Sequence, residues 1–340
     1  MDVTVIGLAG CGKSTLLAAM TGQDAQQVQI ATIKVPDARL EKLSELYKPK
    51  KTTFVEIRAR EGKWPGAGQQ SKRRSEIEQY LQTIKGSSLF IHVLRACVTP
   101  TAADEPDPAR DLEKLDGEMI FADLFACERL IERENIQPME PVRKKAVLKA
   151  KEALENETPL WAVDFDEHER GELAGLNLVT TTPQLLVVNI AEDAADAPTI
   201  PEEKLHGRRV VAECLAVAAE VAALPPEEQQ EFAAEMGLGE PAAHTIAHEA
   251  FRQLDLISFF TVGEDECRAW AVPAGSEAHY AAGRIHTDIQ RGFIRAEIVP
   301  WDTLLEKGSL KACREAGVLQ VEGKTYALND GEIMHVRFNV

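Results

Sequence analysis

The 340-residue sequence has no run of about 20 apolar residues of the kind that spans a bilayer; even the Ala-rich stretch from Ala212 to Leu224 is interrupted by Glu213 and Glu220. Met1-Asp2-Val3-Thr4 leads straight into the first apolar segment, with no basic leader or cleavage site, so a cytoplasmic location and no membrane partner are expected. A CxxC pair is also missing. Cys11, Cys97, Cys127, Cys214, Cys267 and Cys313 are scattered along the chain with no histidine at zinc-ligand spacing, which argues against a zinc module and predicts reduced, packing thiols. There is no excess of positive charge. A net charge of −17 repels phosphates at long range and argues against nonspecific nucleic-acid binding by the whole surface. One stretch runs against that balance: from Lys48 to Arg74, nine Lys or Arg (48, 50, 51, 58, 60, 63, 72, 73, 74) stand against Glu56 and Glu61. It reads either as a phosphate-facing patch or as a solvated basic loop. No internal repeat or low-complexity tract appears.

What is present is a chain with 44 % hydrophobic residues, long enough for two or three domains. Val3 to Ile6 is an apolar run too short for a helix, and Lys13 to Met20 has the Ala and Leu content of one. Between them lies Gly7-Leu8-Ala9-Gly10-Cys11-Gly12-Lys13-Ser14, a complete GxxxxGK[ST] phosphate loop in the strand–loop–helix context it requires. Small residues let consecutive backbone N–H groups converge on phosphate oxygens, and the helix adds the positive end of its dipole. Gly10, Cys11 and Gly12 belong to this cradle. Lys13 is placed to reach the β and γ phosphates of ATP or GTP, Ser14 to ligate Mg²⁺, and Thr15 to complete the phosphate contacts.

Phe54 to Ile57, Leu89 to Leu94, Leu185 to Val188 and Arg209 to Cys214 read as further strands, with a helix from Ser71 to Lys85. Strands alternating with helices predict an α/β fold with a mostly parallel sheet covered on both faces. The interval from Leu94 to Leu185 is far longer than one crossover helix needs. Asp111 to Glu134 and Pro141 to Glu155, separated by Asn135-Ile136-Gln137-Pro138, predict an inserted helical hairpin there. Pro225 to Leu254 is helical again. After Leu254, short apolar alternations at 257–261, 268–272 and 333–338 predict strands of a compact mixed domain.

Leu185-Leu186-Val187-Val188 ends in Asn189-Ile190-Ala191-Glu192, an NxxE sequence where a guanine-specific GTPase carries NKxD. By itself, a strand-end Asn followed by acids is ordinary turn chemistry. Together, GLAGCGKST (7–15), VPDARLEKL (35–43), NIAE (189–192), IHTDIQRGFIRAEI (285–298) and EGKTYALNDGEIMHVRFNV (322–340) make nearly the whole chain resemble the YchF-type, Obg-related P-loop ATPases. The resemblance implies a P-loop G domain at 1–110 and 180–254, an inserted helical arm at 111–179, and a TGS-like, ubiquitin-like β-grasp domain at 255–340. It also implies ATP preference through NxxE. The Asp of NKxD accepts from guanine N1–H and N2–H₂, donors that adenine does not offer there, so a displaced Glu removes the reward for guanine. Asn189, Ile190 and Glu192, with Leu215 of the Cys214-Leu215-Ala216 segment, thereby become base-pocket candidates. The implied partners are ATP or GTP with Mg²⁺ and, through the 48–74 stretch and the tail, the ribosome or RNA; a monomer is expected.

Some positions depart from that family. Most P-loop switch proteins have DxxG after the third-motif strand, its Asp holding Mg²⁺ through water. Phe54 to Ala59 is expected at that place, with Glu56 as the metal-side acid and Ala59 where close backbone approach is wanted. The loop Gly62 to Gly68 keeps its glycines. The first switch is short, only nineteen residues between Thr15 and Val35, so Thr32 is either its Mg²⁺-contacting threonine or an ordinary strand residue. His92 sits in an apolar strand and reads as a hydrogen-bonded core histidine. The family's mobile histidine loop has no counterpart between Ala96 and Arg110, which leaves no evident water-orienting residue and makes turnover slow. His286 reads as structural or as a partner contact; with nine basic against twelve acidic residues, the tail from Leu256 is not an electrostatic RNA binder.

Overall fold

The computed structural model describes residues 1–65, 70–99, 102, 104–135, 138–194, 199–235 and 239–339, without the side chains of 70–74, 135, 226, 230 and 233–235. Parts of the 62–68 loop, of the 135–138 turn and of the 48–74 basic stretch therefore lie outside the described residues. The strands are β1 (Asp2–Ile6), β2 (Ile30–Lys34), β3 (Lys51–Thr53), β4 (Glu56–Glu61), β5 (Leu89–Arg95), β6 (Gln184–Asn189), β7 (Val210–Glu213), β8 (Leu256–Thr261), β9 (Glu266–Pro273), β10 (Phe293–Pro300), β11 (Gln320–Glu322) and β12 (Glu332–Phe338). They form two six-stranded sheets, ordered β2-β4-β1-β5-β6-β7 and β11-β10-β12-β8-β9-β3.

The first sheet belongs to the compact unit Met1–Ile33 with Ile57–Gln253. β4, β1, β5, β6 and β7 are all parallel, and β5 and β6 are buried along their full length, as sequences such as Leu-Phe-Ile-His-Val-Leu-Arg require when helices cover both faces. The long interval after β5 holds helices Pro108–Glu132, Pro141–Glu155 and Glu167–Ala174 around their own core of Cys127, Val147, Leu154, Phe165 and Leu173. Asp123 secures the return to the sheet: its carboxylate accepts from the Val179 and Thr180 N–H groups and the Thr180 hydroxyl at 3.0, 2.7 and 2.6 Å. The segment read as helical from Pro225 to Leu254 is two helices, Pro226–Glu235 and Ala242–Gln253, with Gly239 and Pro241 between them as breakers.

The second sheet belongs to the unit Lys34–Glu56 with Leu254–Val340. Here the structure corrects the expected assignment of residues 34–56 to the G domain. The helix Ala38–Tyr47, capped by the Asp37 carboxylate on the Arg39 N–H, buries Leu40 and Leu43 against Phe260, Val299, Leu304 and Ile333. β3 then adds to β9 as an edge strand. Phe54 and Val55 pack on the same core. Their apolar character, which suggested a G-domain strand from Phe54 to Ile57, serves the second unit, and β4 proper begins two residues later at Glu56. Leu43→Ala is expected to destabilise this unit by about 2–5 kcal/mol, read as a lowered denaturation midpoint for a probe on Trp270 or Trp301; an unchanged midpoint would detach the segment from the tail's core.

All six cysteines are free. His92 is, as expected, a hydrogen-bonded core residue: its Nδ1 lies 3.0 Å from Gln184 Oε1, whose amide donates to Asp116, which in turn pairs with buried Arg208. Complete burial lowers the His92 pKa to about 3, with the Arg208 charge adding to the shift. Because the unfolded chain takes up this proton near pH 6.5 and the folded one does not, stability is lost on acidification between those values, by up to about 1.4 kcal/mol per pH unit. His92→Gln should flatten that limb in unfolding midpoints measured from pH 7 to 4; parallel curves for both proteins would contradict the assignment.

Candidate functional site

β1 delivers the chain into the glycine loop, and the loop into the helix Lys13–Thr21. Gly12, with φ of 109°, caps this helix in a left-handed conformation that a side chain resists. A Cβ there would stand 2.6 Å from Asn189 Nδ2 and 3.3 Å from Leu215 Cδ1, so glycine is also required by what lies behind the loop. Asn189 ends β6, is only 6 % exposed, donates to the Cys11 carbonyl at 3.1 Å and accepts from the Leu215 N–H at 3.3 Å. One side chain thus joins the phosphate loop, the NxxE strand end and the segment after β7. Ile190 follows with its N–H on the Glu213 carbonyl at 3.1 Å. Glu192 is exposed and, with Glu213, Cys214, Met20, Val217 and Ala218, lines a cleft of about 1070 Å³.

Lys13 is buried and folded back on the loop, its Nζ donating to the Gly7 and Leu8 carbonyls at 3.1 and 2.9 Å. Both acceptors are neutral carbonyls, and a phosphate, charged as well as accepting, would compete with them for the ammonium. Thr99, after β5, clamps the Gly10 carbonyl at 2.9 Å. Arg95, at the end of β5 and level with Asn189, donates to the Asp104 carbonyl and pairs with buried Asp111 at 3.7 Å, which ties the end of β5 to the first turn of the helix Pro108–Glu132. No sequence signal pointed to Thr99 or Arg95.

The metal side differs from expectation. Ser14 Oγ donates to Glu61 Oε2 at 3.1 Å. Glu56 opens β4, and a strand of that length carries it roughly 17 Å from Glu61, so Glu56 is withdrawn as a metal-side acid. The Gly62 N–H donates to the Val5 carbonyl at 2.8 Å, at the end of β1. Gly62 therefore continues the pairing of β4 with β1 directly after Glu61, and Ala59, two residues before Glu61, is fully buried. The carboxylate that reaches Ser14 lies five residues beyond Glu56, and Glu61 itself was overlooked. Thr32 is also withdrawn. The Glu61 N–H meets the Gln29 carbonyl, so β2 runs back along β4 away from Glu61, and Thr32 points into solvent in the middle of that edge strand.

Oxygen donors are what Mg²⁺ requires, and the Ser14 hydroxyl with the Glu61 carboxylate supplies two. Among the described residues no group of three or more His, Cys, Asp or Glu gathers as a metal cage. That pattern fits a Mg²⁺ shared with bound phosphates. The basic stretch is divided between the two units, and several of its charges are already engaged: Lys50 with Asp265, Lys51 with Glu266, Arg58 with Asp2, and Arg60 with Thr4 and the Thr83 carbonyl. In the tail, His286 Nδ1 accepts from the Asp288 N–H at 3.1 Å and caps the helix Thr287–Arg291, a structural role. No helix among the described residues is long and apolar enough to cross a membrane.

A glycine loop leading off the first strand of a parallel sheet, backed by an asparagine from the strand two places along, is the nucleotide site of a P-loop G domain. The family model YchF-GTPase_C, described as a protein of unknown function (DUF933), matches residues 256–339. Across nearly the full length, the ribosome-binding ATPase YchF of Bacillus subtilis is 35 % identical over 99 % of this chain and 98 % of its own. The protein of the same name from Mycoplasma genitalium is 30 % identical over all of both chains. The chain belongs to the YchF family. The Schizosaccharomyces pombe YchF GTPase shares the fold, with a TM-score of 0.80 at 22 % identity over 99 % of this chain and 97 % of that one. A GTP binding protein from Pyrococcus horikoshii does so at 0.63 and 16 % identity, over all of both chains.

Gly12→Ala is expected to weaken nucleotide binding at least about tenfold, because the loop has to leave Asn189 to admit the methyl group. Calorimetric titration measures this, and wild-type affinity in the variant would contradict the geometry.

Proposed function

We propose that this protein is a cytoplasmic nucleotide-dependent switch that binds ATP, with GTP as the weaker ligand, together with Mg²⁺, hydrolyses it slowly, and acts with the ribosome. The observation that carries the reading is the Lys13–Ser14 loop held on Asn189, since loop, strand end and helix start converge on one place. The bacterial relatives are named ribosome-binding ATPases, which supports both the activity and the partner. Lys13 and the loop amides would hold the β and γ phosphates and stabilise the charge that develops on transfer. Ser14 and Glu61 would hold Mg²⁺, which neutralises phosphate charge when bound. Ile190 and Glu192 would flank the base, where the NxxE spacing favours adenine. Exposed Lys48 and the tail unit are the surfaces we assign to the ribosomal contact.

A second reading, a nucleotide-gated binding module that does not hydrolyse, is favoured by one observation: Ala59, in the strand where the third motif is expected, is fully buried and brings no oxygen towards a metal. Single-turnover assays with labelled ATP separate the two. The switch reading predicts slow phosphate release that Lys13→Ala abolishes. Binding without any release would favour the second. Mg²⁺-dependent binding is expected to favour ATP over GTP; clear preference for GTP would restore a guanine-specific site, and binding that survives Lys13→Ala unchanged would remove the loop from the account.

A further inference from the structure

The strand β12 outruns one of its two neighbours. It pairs with β10 along its whole length, from Glu332 to Phe338, but with β8 only where Ile333 meets Phe260. β8 ends at Thr261 and turns back into β9. From His335 to Phe338, β12 therefore has a strand on one side and none on the other. In an antiparallel pair, alternate residues turn both N–H and C=O to the partner. The Asn339 N–H donates to the Gly292 carbonyl at 2.9 Å, on the β10 side. By alternation, Arg337 and His335 also face β10, and Val336 and Phe338 direct their N–H and C=O groups to the open side. Among the described residues nothing caps these groups.

The open side is a slot with apolar walls. Ile285 and Ile289 line it from one face of the sheet, Leu310 from a helix of its own, and Val262, Val336 and Phe338 from the strands and their ends, around a cavity of about 190 Å³. Phe338 is 47 % exposed. Unused backbone groups beside an apolar slot are what an added strand requires: its backbone takes the edge and its alternate side chains take the pocket. Charge selects among such strands. Arg314 and Arg337 share the one carboxylate of Glu297 beside β12, which leaves a positive charge unbalanced there. Arg284, next to Ile285, is exposed and meets no acid among the described residues, while Asp288 is already paired with Arg291 at 2.9 Å.

We propose that the 335–338 edge of β12 is a docking site for an extended, acidic segment of a partner protein. The segment adds as a strand where β8 stops and sets an aliphatic side chain against Ile285, Ile289 and Leu310. Its residues all belong to the unit Lys34–Glu56 with Leu254–Val340, so the proposal does not rest on the nucleotide reading.

The test uses the full chain and a fluorescein-labelled peptide that alternates valine or leucine with glutamate, read by anisotropy and by NMR-detected hydrogen exchange. The peptide should bind saturably and slow exchange at the Val336 and Phe338 amides. Val336→Pro removes one open-side donor and leaves the β10 bonds in place, a strand position that tolerates proline; it should weaken binding at least about tenfold. Should that variant not fold, the same peptide N-methylated at alternate amides should lose affinity for the unaltered protein by a similar factor. Arg284→Glu should weaken binding at least about twofold, with the difference shrinking as salt is raised. No binding, binding indifferent to N-methylation, or equal binding of a peptide with lysine for glutamate would overturn the proposal. So would dimers of the protein that Val336→Pro abolishes, since these would give the edge to a second copy of the chain.

Discussion

The contact on which the site depends is the one between Asn189 and the back of the phosphate loop. A buried amide with donor and acceptor both used, at 3.1 Å to Cys11 and 3.3 Å to Leu215, ties three chain segments that are far apart in sequence. It does so only because Gly12 has no side chain. The glycine usually credited with admitting phosphate on one side of the loop here admits the asparagine on the other. Losing either partner would leave buried polar groups without bonds, a penalty of about 1–3 kcal/mol each. The loop is thus rigid at its back, while its front is held by the exchangeable bonds of Lys13 to two carbonyls.

That rigidity is inherited from the sheet. β1, β5 and β6 lie side by side in parallel register, so the ends of β1 and β6 and the Arg95 end of β5 emerge at one edge. The residues that handle ligand sit just beyond that edge, where open α/β sheets place their ligands. The buried groups below it, His92 with Gln184, Asp116 and Arg208, form a connected polar chain within an otherwise apolar layer. The chain is directional, and its bonds hold one packing arrangement more sharply than alkyl contacts alone, although His92 Nε2 and Arg208 Nε find no partner among the described residues.

Much of this was legible in the sequence, and the failures share a cause. The phosphate loop declared itself because its spacing has a single physical purpose. The parallel sheet did so because Leu89–Leu94 and Leu185–Val188 are too uniformly apolar for a one-sided strand. The third motif was misplaced because Phe54 and Val55 look like core residues, and they are, but of the other unit. Hydrophobicity reports burial without saying in which core. With that pair counted as G-domain strand, the metal-side acid was set at Glu56, five residues short of the carboxylate that meets Ser14, and Glu61 went unnoticed. Thr32 failed for a related reason: in a strand alternating exposed and buried, an outward threonine looks the same whether a metal or only water faces it. Thr99 carries no sequence signature at all, since its closeness to the loop is created by the fold.

The central claim, that the Gly7–Ser14 loop is a nucleotide site joined to Asn189 and to Glu61, is tested most directly by amide hydrogen exchange with and without Mg²⁺ and an ATP analogue. The account predicts concerted slowing at residues 7–15, 61–62 and 189–190, because these backbones share one hydrogen-bonded assembly that the ligand closes. Slowing confined elsewhere, or none at saturating ligand, would contradict it.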